Sequence, residues 1–405
     1  MLPCVLTING GSSSIRFAFY EEGDTPLPQL DGKIDRIGLG GTTFTVTDSS
    51  GAPQLQRGLA SADHRTAVGV LLDYLEAHPL FSSIKAVGHR IVHGTKHFRP
   101  ARVTVKLLDE LHRITAYAPE HLPLEIELIE AFSRRHPALL QIVCFDTAFH
   151  RSMPRVARLL PIPRRYSAKG VERYGFHGMS YAYLMEELGR LDPVASKGRV
   201  VLAHLGNGAS LAAVRDGESV DTSMGFTPAS GMMMSTRAGD IDPGLPYYLA
   251  HSEHMTGAQI HKMVNHESGL LGISGTSSDM RDLLEQESSN VRAAEAVALF
   301  CYQAKKWIGS YAAVLGGIDT LVFAGGIGEN APLVRARICE GLNFLGIELK
   351  KSRNVKSAGV ISTDAGRVTV RVIRTDEEQM IARSVYRALH PVKRAVKSER
   401  DQSES

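Results

Sequence analysis

Arg90 follows His89 inside a strand-like apolar run, Asp146 ends another, His177 sits between Phe176 and Gly178, and Arg237 lies in a loop of Met, Gly and Ser. Each has an ordinary explanation. Arg90 could pair with a nearby carboxylate, Asp146 cap a turn, His177 be a satisfied core histidine, and Arg237 bridge to Asp240 or Asp242. What lies between them gives the reason to look further. Residues 9–14, 206–210, 272–278 and 325–330 are small, polar, Gly-rich turns, whose backbone can approach a phosphate and offer N–H groups to it. Any one of them alone is equally a plain hairpin turn. None matches G-x-x-x-x-G-K-[ST], and no G-x-G-x-x-G opens a helix after a strand, so P-loop and Rossmann sites are disfavoured. Together, the turns, two arginines, a histidine and an aspartate are what transfer of a group between two anions requires. Cations offset repulsion, backbone donors hold phosphates, and carboxylates hold Mg²⁺.

The elements that must position these residues fall into two similar halves. Residues 5–8, a Gly/Ser turn and residues 15–20 form a β-ribbon, joined by residues 44–47. Val68, Leu71, Leu72 and Leu75 recur at helical spacing, as do Val105, Leu108 and Leu111, while residues 86–92 and 142–145 are short buried strands. The theme then repeats: strand 200–204, the turn Gly206-Asn207-Gly208, and strand 210–214. A loop-rich stretch at 221–243 precedes a long helix at about 293–315, strand 320–323, the turn 325–330 and a helix beginning near Pro332. A last strand, 368–373, leads to a helix at 377–388. The polar tail 393–405 is expected to fray and to be dispensable.

Composition narrows the class. At 405 residues, two cores are the natural expectation. With 43% hydrophobic and 22% charged residues the chain is an ordinary α/β protein, and a formal charge of +3 speaks against nucleic-acid or membrane-surface binding. Cys4, Cys144, Cys301 and Cys339 form no C-x-x-C pair, which disfavours a zinc site or disulfide framework and points to a reducing cytoplasm. No signal-like n-region precedes the first strand, and no apolar stretch is long enough to span a bilayer.

The wording of these segments closely resembles the acetate kinase family of the acetate and sugar kinase, chaperone ATPase and actin superfamily. It runs through INGGSSSIRF (8–17), GHRIVHG (88–94), FDTAFH (145–150), RYGFHGMS (173–180) and HLGNGAS (204–210). It continues through DTSMGFTP (221–228), TRAGDIDPG (236–244), SGLLGISGTSSDMRDL (268–283), FAGGIGENAP (323–332) and TDEE (375–378). The resemblance implies an α/β protein of two ribonuclease-H-like βββαβαβα domains with the active site in the cleft and one domain closing on the other. Residues 1–149, completed by a C-terminal helix at 377–392, would form the first domain, and 150–376 the nucleotide-binding one. The implied activity is Mg²⁺-dependent phosphoryl transfer between ATP and acetate, with Mn²⁺ as a possible substitute metal and a homodimer as the assembly. Its rivals are transfer to propionate or butyrate and, from another class, a nucleotide-binding regulator that lost transfer.

Carried over residue by residue, Asn9 and Glu377 resemble Mg²⁺ ligands, and Arg16 a basic residue near the nucleotide phosphates. Arg90 resembles the carboxylate-binding arginine, with Val92, Phe176 and Pro228 lining the methyl pocket. Asp146 is similar to the acidic residue that orients acceptor and metal, while His177 and Arg237 surround the moving phosphoryl group. His204, Leu205, Gly206, Asn207 and Gly208 would hold phosphates, Asp279, Met280 and Arg281 the ribose or adenine side, and Gly326, Ile327, Gly328, Glu329 and Asn330 the adenosine. Departures from the family's usual wording include Gly10, Arg16, Thr95, Lys96, Leu122, Tyr181, Ser235 and Asp376. Glu120 also stands where an apolar pocket residue is usual, so it is expected to turn outward or to pair with Lys96, His121 or Arg90.

Overall fold

Strand β1 (Cys4–Gly10) and β2 (Ser14–Glu21) alternate side chains across a sheet buried on both faces, which is why they are apolar almost throughout. They continue as an antiparallel meander through β3 (Pro28–Asp35), β4 (Thr43–Asp48) and β5 (Pro53–Gly58). On the other side of β1 lie β6 (Ile84–Ile91) and β8 (Gln141–Phe145), both parallel, with the two-residue β7 (Ala101–Arg102) at the edge. The sheet order is β5-β4-β3-β2-β1-β6-β8-β7. The structure, a computed structural model, describes residues 2–11, 13–23, 25–38, 40–59 and 63–391. The tail 393–405 lies outside them.

The second half repeats the plan. Strands β9 (Arg199–Leu205), β10 (Ala209–Arg215) and β11 (Glu218–Thr222) are antiparallel, and β12 (Thr320–Ala324) and β13 (Thr369–Val372) extend the sheet in parallel as β11-β10-β9-β12-β13. The inner strands of the first sheet, β3-β2-β1-β6-β8, follow the same order. Both halves are thus three antiparallel strands followed by two parallel ones, the ribonuclease-H-like arrangement the resemblance implied.

Four local expectations change. Residues 325–330 are not an open turn but the short helix Gly325–Asn330, and the 272–278 turn begins inside helix Gly269–Ser274. Val105 is exposed: the helix Val105–Arg113, capped by Thr104, buries Leu107 and Leu111 instead. The supposed loop at 221 starts as the end of β11. The long helix is Val291–Leu315, started by Asn290 accepting the N–H groups of Arg292 and Ala293.

The last helix, Glu377–Leu389, returns to the first half. Met380, Ile381 and Val385 pack with Val5, Ala86, Ile142, Cys144 and Met179, and fully burying a side chain of this kind is worth about 1.5–3 kcal/mol. Gly88 on β6 permits the approach, because a Cβ there would lie 2.6 Å from Val385 and 2.7 Å from Ile381. Asp376 caps this helix by accepting the Gln379 N–H at 2.7 Å.

Candidate active site

The C-terminal ends of β1, β9 and β12 and the N-terminus of helix Glu377–Leu389 surround a cleft of about 770 Å³. Arg16, His204, Gly206 and Asn207 line one part of it, and Asp279, Met280 and Arg281 another. Gly326, Ile327, Glu329 and Asn330 contribute from the short helix, and Asn9 and Glu377 from the first half. Most of the nucleotide set expected from sequence therefore shares one cavity. Leu205, Gly208 and Gly328 do not line it: Leu205 and Gly328 are buried beneath, and Gly208 faces His177. Arg335, fully buried, supports the short helix by donating to the Gly328 and Glu329 carbonyls at 2.7 and 2.9 Å.

Asn9 ends β1 and donates through Nδ2 to Glu377 (3.0 Å) and to Glu378 (3.2 Å). Burial, and then the charge of Glu377, push the Glu378 carboxyl above its ordinary range. Two crowded carboxylates beside an amide form an oxygen-rich edge suited to a hard cation. The sequence reading included Glu377 but not its neighbour.

Arg90 and Asp146 meet at the ends of the parallel strands β6 and β8. Arg90 donates to Asp146 Oδ2 at 2.9 Å and to Glu125 Oε1 at 3.4 Å, while its buried Nε has no partner among the described residues. Asp146 is completely buried and also accepts the backbone N–H groups of His177 (2.8 Å) and Met179 (3.1 Å), capping helix Gly178–Leu191. A Cβ on Gly178 would overlap the Asp146 carbonyl. His177 is held in the left-handed region, φ 58° and ψ 25°, a strained conformation for a non-glycine residue. One carboxylate therefore fixes both the arginine and the backbone of the histidine.

Arg237 forms no ion pair with Asp240 or Asp242, nor with any other carboxylate among the described residues. Asp240 and Asp242 are occupied by the N–H groups of Gly231 and Gly244. The partly buried guanidinium instead donates to the Pro228 carbonyl (3.2 Å) and the Met234 sulfur (3.6 Å). Burial and then the charge of Arg90 lower its pKa from the usual arginine range. The ring of His177 stacks on His204 at 4.3 Å between centroids. At Gly208 the two side chains converge: the place a Cβ would fill lies 3.0 Å from His177 Nε2 and 3.8 Å from Arg237 Nη1. Burial first, then the charges of His204, Arg90 and Arg237, push His177 well below the ordinary imidazole range. That shift favours the neutral ring over the imidazolium.

Of the expected methyl-pocket residues, Val92 and Phe176 are buried in the core cluster that also holds Met232, Met233 and Met234, and Pro228 adjoins Arg237. Glu120 turns outward, its side chain 35% exposed. Its carboxylate meets His261 (3.2 Å) and His266 (3.1 Å) of helix Gly257–His266, a contact between the two halves of the chain. The neighbouring His121 is half-buried, and desolvation followed by the charges of Arg237 and Arg90 pushes it down to about 3.

Sequence reasoning missed Glu125. It lies on helix Leu122–Arg135 with its side chain only 1% exposed, accepting the Val92 N–H at 2.9 Å, and burial pushes its carboxyl up to about 8 against the long Arg90 contact. An unfolded Glu125 would titrate near 4.5. Between 4.5 and about 8 the folded chain thus keeps a proton that the unfolded chain releases, so this group's contribution to stability falls as pH rises through that window. Glu125→Gln should flatten that decline, shrinking the fall in Tm between pH 6 and pH 8.5 by about 2 °C or more. A thermal melt series of both proteins checks it, and parallel curves would place the titration elsewhere.

Comparison with known proteins agrees with the geometry. A sequence profile described as the acetokinase family matches residues 4–383. The chain is similar to a propionate kinase of Citrobacter rodentium, 44% identical over 392 residues, covering 95% of this chain and 96% of the relative. It is also similar to an acetate kinase of Methylocella silvestris, 42% identical over 395 residues, with 95% and 97% covered. Among solved structures it resembles the Porphyromonas gingivalis acetate kinase, with a TM-score of 0.84, 36% identity, and 94% and 98% of the two chains covered. With the duplicated sheet and the cleft residues already in place, these matches show that the chain belongs to the acetokinase family.

Proposed function

We propose that the protein transfers a phosphoryl group reversibly between ATP and the carboxylate of a short aliphatic acid, acetate foremost, giving acetyl phosphate and ADP. The observation that carries this reading is the spot over Gly208, where a carboxylate-free Arg237 and the Nε2 of a neutral His177 converge. A cation built without an anion, beside a nucleotide-sized cleft, fits a transferring phosphoryl group.

The acceptor's carboxylate is ionised at neutral pH, so no base is needed to remove a proton from it. Asp146 is correspondingly spent on positioning, while the guanidinium of Arg90, whose side chain keeps 13% exposure, is the group that meets the acceptor. The barrier is then repulsion between anions. Arg90 and Arg237 offset it, and His177 donates to the equatorial oxygens, a contribution on the scale of about 2.7–4 kcal/mol for one well-placed donor. The N–H group of Asn207 and the side chain of Arg16 serve the nucleotide phosphates, while the Gly206 N–H closes the turn on the Gly208 carbonyl at 3.0 Å.

Asn9, Glu377 and Glu378 would hold Mg²⁺, partly through water; among the described residues no cluster of three or more His, Cys, Asp or Glu forms a self-contained cage, as suits a metal that keeps its waters and rides on phosphates. The metal would supply charge neutralisation on the nucleotide phosphates. We take residues 1–149 with the last helix as one domain and 150–376 as the other, the assembly as a homodimer, and the cytoplasm as the compartment. Four free, buried cysteines fit a reducing compartment. No helix among the described residues is long and apolar enough to cross a membrane.

Trapping the product with hydroxylamine over acetate, propionate and butyrate tests the reading. ATP-dependent hydroxamate with acetate as the best substrate by kcat/KM is expected. Preference for propionate would move the specificity to the rival acid, and absence of any acyl phosphate would overturn the transfer itself.

A further inference from the structure

A neutral imidazole has one N–H, and which nitrogen carries it decides whether His177 offers the cleft a donor or a lone pair. Nε2 is the nitrogen that faces the space over Gly208, with no hydrogen-bond partner among the described residues. A lone pair there would repel a phosphoryl oxygen, whereas an N–H would stabilise it.

The other nitrogen, Nδ1, lies 2.8 Å from Ser210 Oγ, and Ser210 Oγ lies 2.5 Å from Tyr181 Oη. Ser210 and Tyr181 are both completely buried, so neither hydroxyl can turn to bulk water. Among the described residues the Tyr181 hydroxyl has no other hydrogen bond, and nor does the Ser210 hydroxyl beyond these two. The chain holds two hydroxyl hydrogens and two contacts. If Tyr181 donates to Ser210 and Ser210 donates to Nδ1, both hydrogens are used. If instead Nδ1–H donates to Ser210, one of the two hydroxyl hydrogens is left buried and unpaired, at a cost of about 1–3 kcal/mol. Burial also opposes the imidazolium, which would bring the same conflict.

We propose that Ser210, its hydroxyl held between Tyr181 Oη and His177 Nδ1, is a positioning residue that locks His177 as the Nε2–H tautomer and so aims a permanent N–H donor at the transferred group. The geometry suits this role. Tyr181 lies one helical turn beyond His177, and its backbone N–H donates to the His177 carbonyl at 2.9 Å, so the same helix that fixes the strained histidine backbone carries the phenol to its ring partner. The proposal rests on the phosphotransfer reading for its purpose, but the tautomer is a property of the free protein.

The test is ¹⁵N NMR of histidine-labelled full-length protein at pH 7.5, with the His177 resonances assigned by their loss in His177→Gln, alongside steady-state kinetics. Wild type should show a pyrrole-type Nε2 and a pyridine-type Nδ1. Ser210→Ala removes the hydrogen that Nδ1 accepts, so the Nδ1 and Nε2 shifts should move toward the average of two exchanging tautomers. The Ser210→Ala kcat should fall roughly 10-fold, the lower end of what outer partners of a functional histidine contribute, with KM for ATP and for the acid little changed. Tyr181→Phe leaves Ser210 one hydrogen and one contact, so its tautomer should stay that of the wild type. A wild-type ring that is Nδ1–H or charged overturns the proposal, as does a Ser210→Ala ring still locked as Nε2–H. If the shifts behave as expected but no acyl phosphate forms, the relay stands and the phosphotransfer reading fails.

Discussion

Arg237→Ala is expected to lower kcat on the order of 10³-fold, the scale on which an arginine acts at a transferring phosphoryl group, while the melting temperature holds or rises. The two halves of this expectation have one cause. Arg237 is a partly buried cation whose hydrogen bonds go to a carbonyl and a sulfur rather than a carboxylate, so its charge is desolvated without a counter-ion in the folded protein. Removing it relieves the resting structure and strips the transition state. Nucleotide affinity, measured by calorimetry, should be nearly unchanged because the cleft that takes the nucleotide lies beyond the Gly208 turn. A lowered melting temperature with normal turnover would make Arg237 a structural residue.

Arg90→Ala should also lower kcat/KM for the acid, by roughly 10²–10³-fold, but here stability falls as well. Arg90 is shared between Asp146, completely buried, and Glu125, whose side chain is 1% exposed. Taking one partner out of such a group typically costs about 3–5 kcal/mol. Glu125, pushed up to about 8, already holds a proton at neutral pH, so most of the loss falls on Asp146, and through it on the backbone of His177. Arg90→Ala combined with Glu125→Gln should therefore regain little activity. Normal melting together with lost acid affinity would confine Arg90 to substrate contact, and a matching loss of ATP affinity would remove it from the acceptor side.

The residues legible in the sequence were those whose surroundings were improbable for them. Arg90, Asp146, His177 and Arg237 stand among apolar or small residues, and three of them prove to be joined through Asp146. Glu125 was hidden because Glu125, Glu127 and Glu130 look alike as members of one charged helix. A signal was present nonetheless: Leu122, Glu125, Ile126 and Ile129 share the i, i+3, i+4, i+7 stripe and all are buried, so a glutamate interrupted an apolar face. The outward turn of Glu120 was legible, but not its partners, because His261 and His266 are more than a hundred residues away in the chain and no local pattern encodes such a contact. The duplicated sheet was legible from its strand-turn-strand openings, while polar β3 and β5 lacked the buried apolar runs that marked the other strands.

The return of the last helix to the first sheet has a consequence for biogenesis. Residues 4–145 contain every strand of that sheet, yet the face formed by Val5, Ala86, Ile142 and Cys144 waits for Met380, Ile381 and Val385. At about 5–20 residues per second, the intervening chain takes roughly ten seconds or more to emerge from the ribosome. During that interval the nascent first half carries an uncovered apolar surface. A premature stop a few codons before Glu377 would leave that surface bare for good and remove Glu377 and Glu378 from the cleft, so the shortened product should be captured by chaperones or proteases even though both sheets are complete.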